Sequence, residues 1–232
     1  MNISRNLNEV FKNIENAAIR SGRKRDDIML IAVSKTHPVE AVFEAQKCGV
    51  NVFGENKVQE LLEKYDKVPD AKWHLIGHLQ RNKVKYIIDK VEMIHSLDSI
   101  ELAAEINKRA EKIKKVMPVL IQINIGKEES KSGIFEEDIY SFMEGLSVFS
   151  NILVSGIMTI PPATDNKDKT REYFKRMKEI FDKIKVNNYS NFDIKYLSMG
   201  MSSDYEIAIE EGANIIRVGT GIFGSRNYSK EV

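Results

Sequence analysis

Lys35 stands at the end of an apolar run, Met29-Leu-Ile-Ala-Val-Ser34, and is followed by Thr36-His37-Pro38. A lysine there emerges where a buried segment meets solvent, and taken alone it reads as a solvated cap, the usual fate of lysine. Held partly desolvated, the same amine has a lowered pKa and a neutral, nucleophilic form that attacks an aldehyde. Near the other end, Arg217-Val-Gly219-Thr220-Gly221-Ile-Phe-Gly224 closes another short apolar run, and Ser202-Ser203 follows the run before it. Gly219 and Gly221 let backbone N–H groups approach oxygen atoms closely, while Ser202, Ser203 and Thr220 add hydroxyls. That composition suits a phosphate. The spacing Gly219-x-Gly221-x-x-Gly224 also spells the dinucleotide fingerprint, which needs a following helix and an acidic residue about 20 positions on. Eight residues follow Gly224, so a Rossmann site is not expected.

The elements that must position these groups are legible as an alternation. Ile3, Leu7, Val10, Phe11, Ile14 and Ala18 recur at spacings of three and four, which predicts an amphipathic first helix stopped at Gly22. Strands are then expected at 29–34, 51–54, 72–77, 93–97, 116–125, 152–159, 193–198 and 215–218, with helices at 38–47, 57–65, 81–89, 99–114, 135–149, 167–186 and 202–211. Residues 28–33 are apolar throughout, the pattern of a parallel strand buried on both faces. Eight strand-then-helix units in 232 residues predict an α/β fold: a single (β/α)8 TIM barrel spanning 1–232 with an extra N-terminal helix, against a doubly wound open sheet. No linker or low-complexity tract divides the chain.

In such a barrel, function collects at the C-terminal ends of the strands, and the last two loops often hold phosphate. Lys35 on the first strand then faces Ser202, Gly219 and Thr220 across the mouth. An aldehyde-reactive lysine opposite a phosphate cradle describes a site for pyridoxal 5′-phosphate (PLP). Arg217, two residues before the cradle, is placed to reach the pyridine nitrogen, where a fixed cation disfavours protonation and weakens the ring as an electron sink. The alternative for Arg217 is a salt bridge at the barrel end.

Composition excludes several other classes. Lys plus Arg number 35 and Asp plus Glu 34, a net charge of +1, which argues against nucleic-acid or membrane binding driven by bulk charge. The basic stretch Arg81-Asn-Lys-Val-Lys85 reads as a solvated helix face. One cysteine, Cys48, allows neither an intrachain disulfide nor a cysteine-only zinc site. His74 and His78 are four apart but straddle a strand end, without the zinc-protease Glu between them, so no metal is expected. The start, Met1 to Val10, lacks a signal-peptide core, and no run approaches the roughly 18 apolar residues of a membrane span. A cytoplasmic globular protein is expected, as a monomer or weak homodimer.

Seven segments resemble the pyridoxal phosphate homeostasis proteins: Ala32-Val-Ser-Lys35-Thr, Phe53-Gly-Glu-Asn56-Lys-Val-Gln-Glu60, Trp73-His-Leu-Ile-Gly-His78-Leu-Gln-Arg-Asn82-Lys83, Lys131-Ser-Gly133, Gly156-Ile-Met158-Thr, Leu197-Ser-Met-Gly-Met-Ser-Ser-Asp204 and Ile216-Arg-Val-Gly-Thr-Gly-Ile-Phe-Gly224. They run in family order over nearly the whole chain. The resemblance implies a barrel like the N-terminal domain of alanine racemase, with Lys35 as the aldimine lysine. It further implies Ser202, Gly219 and Thr220 on the phosphate, Arg217 at the ring nitrogen, and Asn56 and Met199 lining the pocket. Its implied function is PLP carriage and vitamin B6 balance, with apo PLP-dependent enzymes as acceptors and no established catalysis.

The competing expectation is an amino-acid racemase or decarboxylase of the alanine racemase type. Two-base chemistry needs a second acid/base group near the substrate α-carbon, and His78, Tyr205 and Lys131 are the candidates. Each has a plainer reading: His78 satisfying a backbone carbonyl, Tyr205 packing, and Lys131 riding a mobile polar loop. Lys131 is alternatively a phosphate partner or a transient acceptor of the aldehyde.

Overall fold

The computed structural model describes residues 2–224, so residue 1 and residues 225–232 of the expected single domain lie outside the described residues. Eight parallel strands form the wall: β1 (Met29–Val33), β2 (Val52–Glu55), β3 (Lys72–Leu75), β4 (Val91–Leu97), β5 (Met117–Ile123), β6 (Ile152–Thr159), β7 (Phe192–Ser198) and β8 (Ile215–Val218). They pair in chain order and close, β1 bonding to both β2 and β8. Closure sets the open doubly wound sheet aside.

Around the wall run α1 (Ile3–Arg20), α2 (Val39–Lys47), α3 (Val58–Tyr65), α4 (Ile100–Lys112), α5 (Ile139–Leu146), α6 (Lys167–Lys185), α7 (Tyr205–Glu210) and α8 (Thr220–Phe223). The helix expected at 81–89 is instead a 3-10 stretch, Arg81–Tyr86. Val84 is its one buried residue, and a segment with a single apolar anchor has no face to pack as an α-helix. The helix expected at 135–149 likewise opens as a 3-10 turn, Glu136–Asp138, and is α-helical only over α5. The helix expected at 202–211 begins later, because the Asp204 carboxylate accepts from the Met201 N–H at 2.6 Å and folds residues 201–204 into a turn. That leaves Ser202 and Ser203 in the loop.

The barrel has two apolar layers. Ile31, Met93, Leu120, Met158 and Ile215 fill its interior, and the larger cluster lies between strands and helices. Side chains alternate along a strand, so on β1 the inward set is Ile31 and Val33, while Leu30 and Ala32 join the outer layer. Lys35 lies two residues past the strand end, in the turn that leads to α2. On β8, where Arg217 sits opposite Ile31, the same alternation turns Ile215, Arg217 and Gly219 inward.

Two local features hold the frame. Gly156 (φ 155°) sits at a register shift between β5 and β6 and between β6 and β7, where an added Cβ would lie 1.9 Å from the Tyr196 carbonyl oxygen. Only glycine permits that approach. On the outside, α1 buries Ile3, Leu7, Val10, Ile14, Ala17 and Ala18 beside α7 and α8. Arg20 of α1 pairs with Glu206 and Glu210, and Arg171 of α6 pairs with Glu210 and Glu211. Among the described residues no helix is long and apolar enough to cross a membrane.

Candidate functional site

At the C-terminal mouth of the barrel lies a cavity of ≈ 280 Å³. Its polar lining is Lys35, Asn56, Ser202, Ser203, Arg217 and Thr220, with Gly219 between the last two; Val33, Ile76, Ile160 and Met201 supply apolar walls. The expected sites from β1, β7 and β8 therefore meet in one chamber. Lys35 is half-buried, and Arg217 is 3% exposed at the floor. A larger outer groove between α1, α6 and α7 shares Ser202 and Ser203, but the arginines that line it, Arg20 and Arg171, are occupied by glutamates.

The cradle geometry comes from the turn between β8 and α8. The N–H groups of Gly219 and Gly221 both donate to Ser202 Oγ, at 3.2 and 3.1 Å. The two amides thus converge on one oxygen, a pairing of N–H donors that suits an oxyanion. A Cβ on Gly219 would come within 3.3 Å of the Val33 carbonyl oxygen, crowding the β1 side of the chamber.

Arg217 is fixed by neutral partners. Its Nη1 donates to Ser198 Oγ at 2.6 Å and its Nη2 to the Thr159 carbonyl at 2.8 Å, so the barrel-end salt bridge is not what holds it. Burial pulls its pKa down to about 10, partly countered by the charge of Asp204, which leaves a cation at neutral pH. Behind Ser198 the polar row continues: Ser198 Oγ lies 3.2 Å from His95 Nδ1, and His95 Nε2 lies 3.0 Å from His74 Nδ1. Burial lowers His74 to about 4, assisted by Lys72. Burial likewise drives His95 well below the ordinary imidazole value, assisted by His74 and Arg217. Both rings are neutral at pH 7. The linear sequence does not link these residues, since contacts between strands three, four, seven and eight require closure.

Met199 does not line the chamber. Ser198 points inward to Arg217, so its neighbour points outward, and Met199 is fully buried in the outer apolar layer. Met201 takes the wall position instead. The three second-base candidates also lie outside the chamber. His78 is exposed; its Nδ1 faces both Asp98 at 3.6 Å and Ser132 Oγ at 3.4 Å, and a relay needs the two ring nitrogens to serve different partners. Tyr205 is buried, and its OH accepts from Asn13 at 3.1 Å. Lys131 pairs with Glu128 and donates to the Pro161 carbonyl at 3.3 Å. Its loop is pinned by Asn124, which bonds to Glu128 N–H and to the Glu128 and Lys131 carbonyls. These contacts engage Lys131 outside the chamber.

Comparison with known proteins places this geometry. The model of the alanine racemase N-terminal domain matches residues 6–227. A protein of Aquifex aeolicus named pyridoxal phosphate homeostasis protein is 46% identical over 98% of this chain and 100% of its own length. The Escherichia coli K12 protein of the same name is 37% identical over 99% of each. The chain belongs to the pyridoxal phosphate homeostasis family. Within that family, PipY of Synechococcus elongatus with PLP bound superposes with a TM-score of 0.81 at 33% identity, over 96% of this chain and 100% of that one. Alanine racemase of Clostridium difficile shares the fold, at a TM-score of 0.73 and 21% identity, over 98% of this chain and 60% of that one.

Proposed function

We propose that this chain is a cytoplasmic carrier of pyridoxal 5′-phosphate, which it holds through Lys35 and yields to apo PLP-dependent enzymes. The observation that carries the reading is that Lys35 and the Ser202–Gly219–Thr220 cradle line one chamber. The residues fit the group: two converging N–H donors for an anionic end, an amine for an aldehyde, and apolar walls for a flat ring. When bound, PLP supplies an aldehyde carbon and an electron-withdrawing pyridine ring. Lys35 would hold that aldehyde through its amine, a reversible attachment that releases one water and consumes one when it is undone. Arg217, held on Ser198 and Thr159, would face the ring nitrogen as a cation and disfavour its protonation. Asn56 would contact the ring from the β2 side. The relatives' name and the PLP bound to PipY support the same cofactor here.

The titratable side chains lining the chamber are Lys35 and Arg217, which favours a carrier over a two-base racemase. The test is the visible spectrum before and after borohydride, followed by peptide mapping. The expected adduct is on Lys35, and Lys35→Ala should be colourless. A yellow Lys35→Ala protein with the adduct on another lysine would overturn the site. Efficient solvent-deuterium exchange at an amino-acid α-carbon would overturn the carrier reading.

A further inference from the structure

Lys35 occupies a strained turn that α3 grips from outside. The His37 N–H donates to the Ser34 carbonyl at 3.1 Å, which makes residues 34–37 a β-turn with Lys35 and Thr36 at its centre. Thr36 has φ 66°, a left-handed conformation that a β-branched residue adopts only when its surroundings impose it. Two side chains of α3 do so. Glu60 accepts from the Thr36 N–H at 2.6 Å, and Lys64 donates to the Ser34 carbonyl at 2.7 Å. The peptide groups on either side of Lys35 are therefore both tied to one helix.

Lys64 is itself buried and rests on Glu55, its Nζ lying 2.6 Å from Oε1. The same oxygen accepts from the Ser34 hydroxyl at 2.6 Å. Glu55 thus spends its hydrogen bonding on Ser34 and on the lysine that holds Ser34, while its Oε2 is buried with no hydrogen-bond partner. A buried pair with an orphaned oxygen is a poor stabiliser, since apolar replacements of such pairs are often neutral or better. What the arrangement does supply is geometry at Ser34.

We propose that Glu55, Glu60 and Lys64 are positioning residues that set the direction of the Lys35 amine, and so the retention time of the bound aldehyde. This rests on the carrier reading and assigns to α3 the control of release. A rigid turn keeps the amine and the cradle in register, so that hydrolysis of the C=N bond is followed by recapture. A loosened turn lets the aldehyde leave.

Two variants test this in PLP-loaded full-length protein. Glu60→Ala removes the Thr36 tie without burying a charge, and Glu55→Met with Lys64→Met removes both buried charges together. The readouts are release of the aldehyde to hydroxylamine, followed by loss of the visible band, the visible circular dichroism of the bound chromophore, and the thermal midpoint. Glu60→Ala should release about fivefold faster, the effect of one net hydrogen bond, with weaker visible dichroism and a midpoint lowered by only about 2–4 °C. The double variant should release faster still. If the double variant does not fold, Glu60→Ala decides the matter. Wild-type release and dichroism in Glu60→Ala, with the borohydride adduct mapped to Lys35, would overturn the α3 assignment alone. An adduct on another lysine in the unaltered protein would overturn the covalent site, and this proposal with it.

Discussion

The Arg217 guanidinium donates a 2.6 Å hydrogen bond to the Ser198 hydroxyl, and through that hydroxyl it meets a pair of neutral histidines. The floor of the chamber is thus a cation set by a row of uncharged polar groups rather than by a carboxylate. This holds the charge in place without cancelling it. A carboxylate partner would draw the cation's field away from the chamber; a hydroxyl and a carbonyl leave it directed at whatever lies above.

The histidine row makes stability depend on pH. Unfolded imidazoles titrate near 6.5, whereas folded His74 titrates at about 4 and His95 is also depressed. Above pH 6.5 neither state binds these protons and the stability is fully present. As pH falls from 6.5 toward 4, the unfolded chain gains protons that the folded chain refuses, and stability is lost. From pH 6.5 to 5 the loss from His74 alone should be about 2 kcal/mol, read from urea midpoints. His74→Gln should flatten much of that slope, and an equally steep slope in the variant would refute the assignment.

Arg217→Met should cost about 2 kcal/mol of unfolding free energy, since it strands the buried Thr159 carbonyl and strips one partner from Ser198. In PLP-loaded protein it should also let the ring nitrogen take up a proton, seen as a pH-dependent visible band absent from the parent. A band that stays pH-independent would remove Arg217 from the ring nitrogen.

Ser202→Ala separates phosphate from ring. The hydroxyl sits where two backbone donors converge, so its loss should weaken PLP binding about tenfold, the value of one hydrogen bond to a charged group. Binding of unphosphorylated pyridoxal should be unchanged. Equal losses for the two ligands would place the phosphate elsewhere.

Gly156→Ala should be among the most damaging single changes in the wall. Its Cβ would collide with the Tyr196 carbonyl oxygen, and the positive φ excludes an easy local escape. A loss of about 3 kcal/mol or more is expected, measured by chemical denaturation. A variant of parental stability would show that β6 and β7 adjust their register freely.

Much of this was legible in the sequence because a parallel barrel writes its periodicity plainly. The runs at 29–34, 152–159 and 215–218 became β1, β6 and β8 with at most one residue trimmed, and Lys35 was visible as the residue where an apolar run stops. Met199 shows the limit: its neighbours matched a family motif, but which face it takes depends on strand parity at the end of β7. The Arg81–Tyr86 stretch differs for another reason, since charge periodicity mimics a helix face although only Val84 within it is buried. The ties of Glu60 and Lys64 to the Lys35 turn were invisible to any linear reading. They exist because β1 and β2 pair, which brings α3 beside a turn more than twenty residues earlier.

Because β1 pairs with β8, the amine and the glycine turn come from the first and last strands of the wall. During synthesis the ribosome makes the lysine strand long before the strand that completes its partner surface. A chain lacking residues 215–221 lacks the strand that closes the wall, and with it the two glycine amides of the turn after β8. The two parts of the chamber therefore come together only when β8 closes the wall against β1.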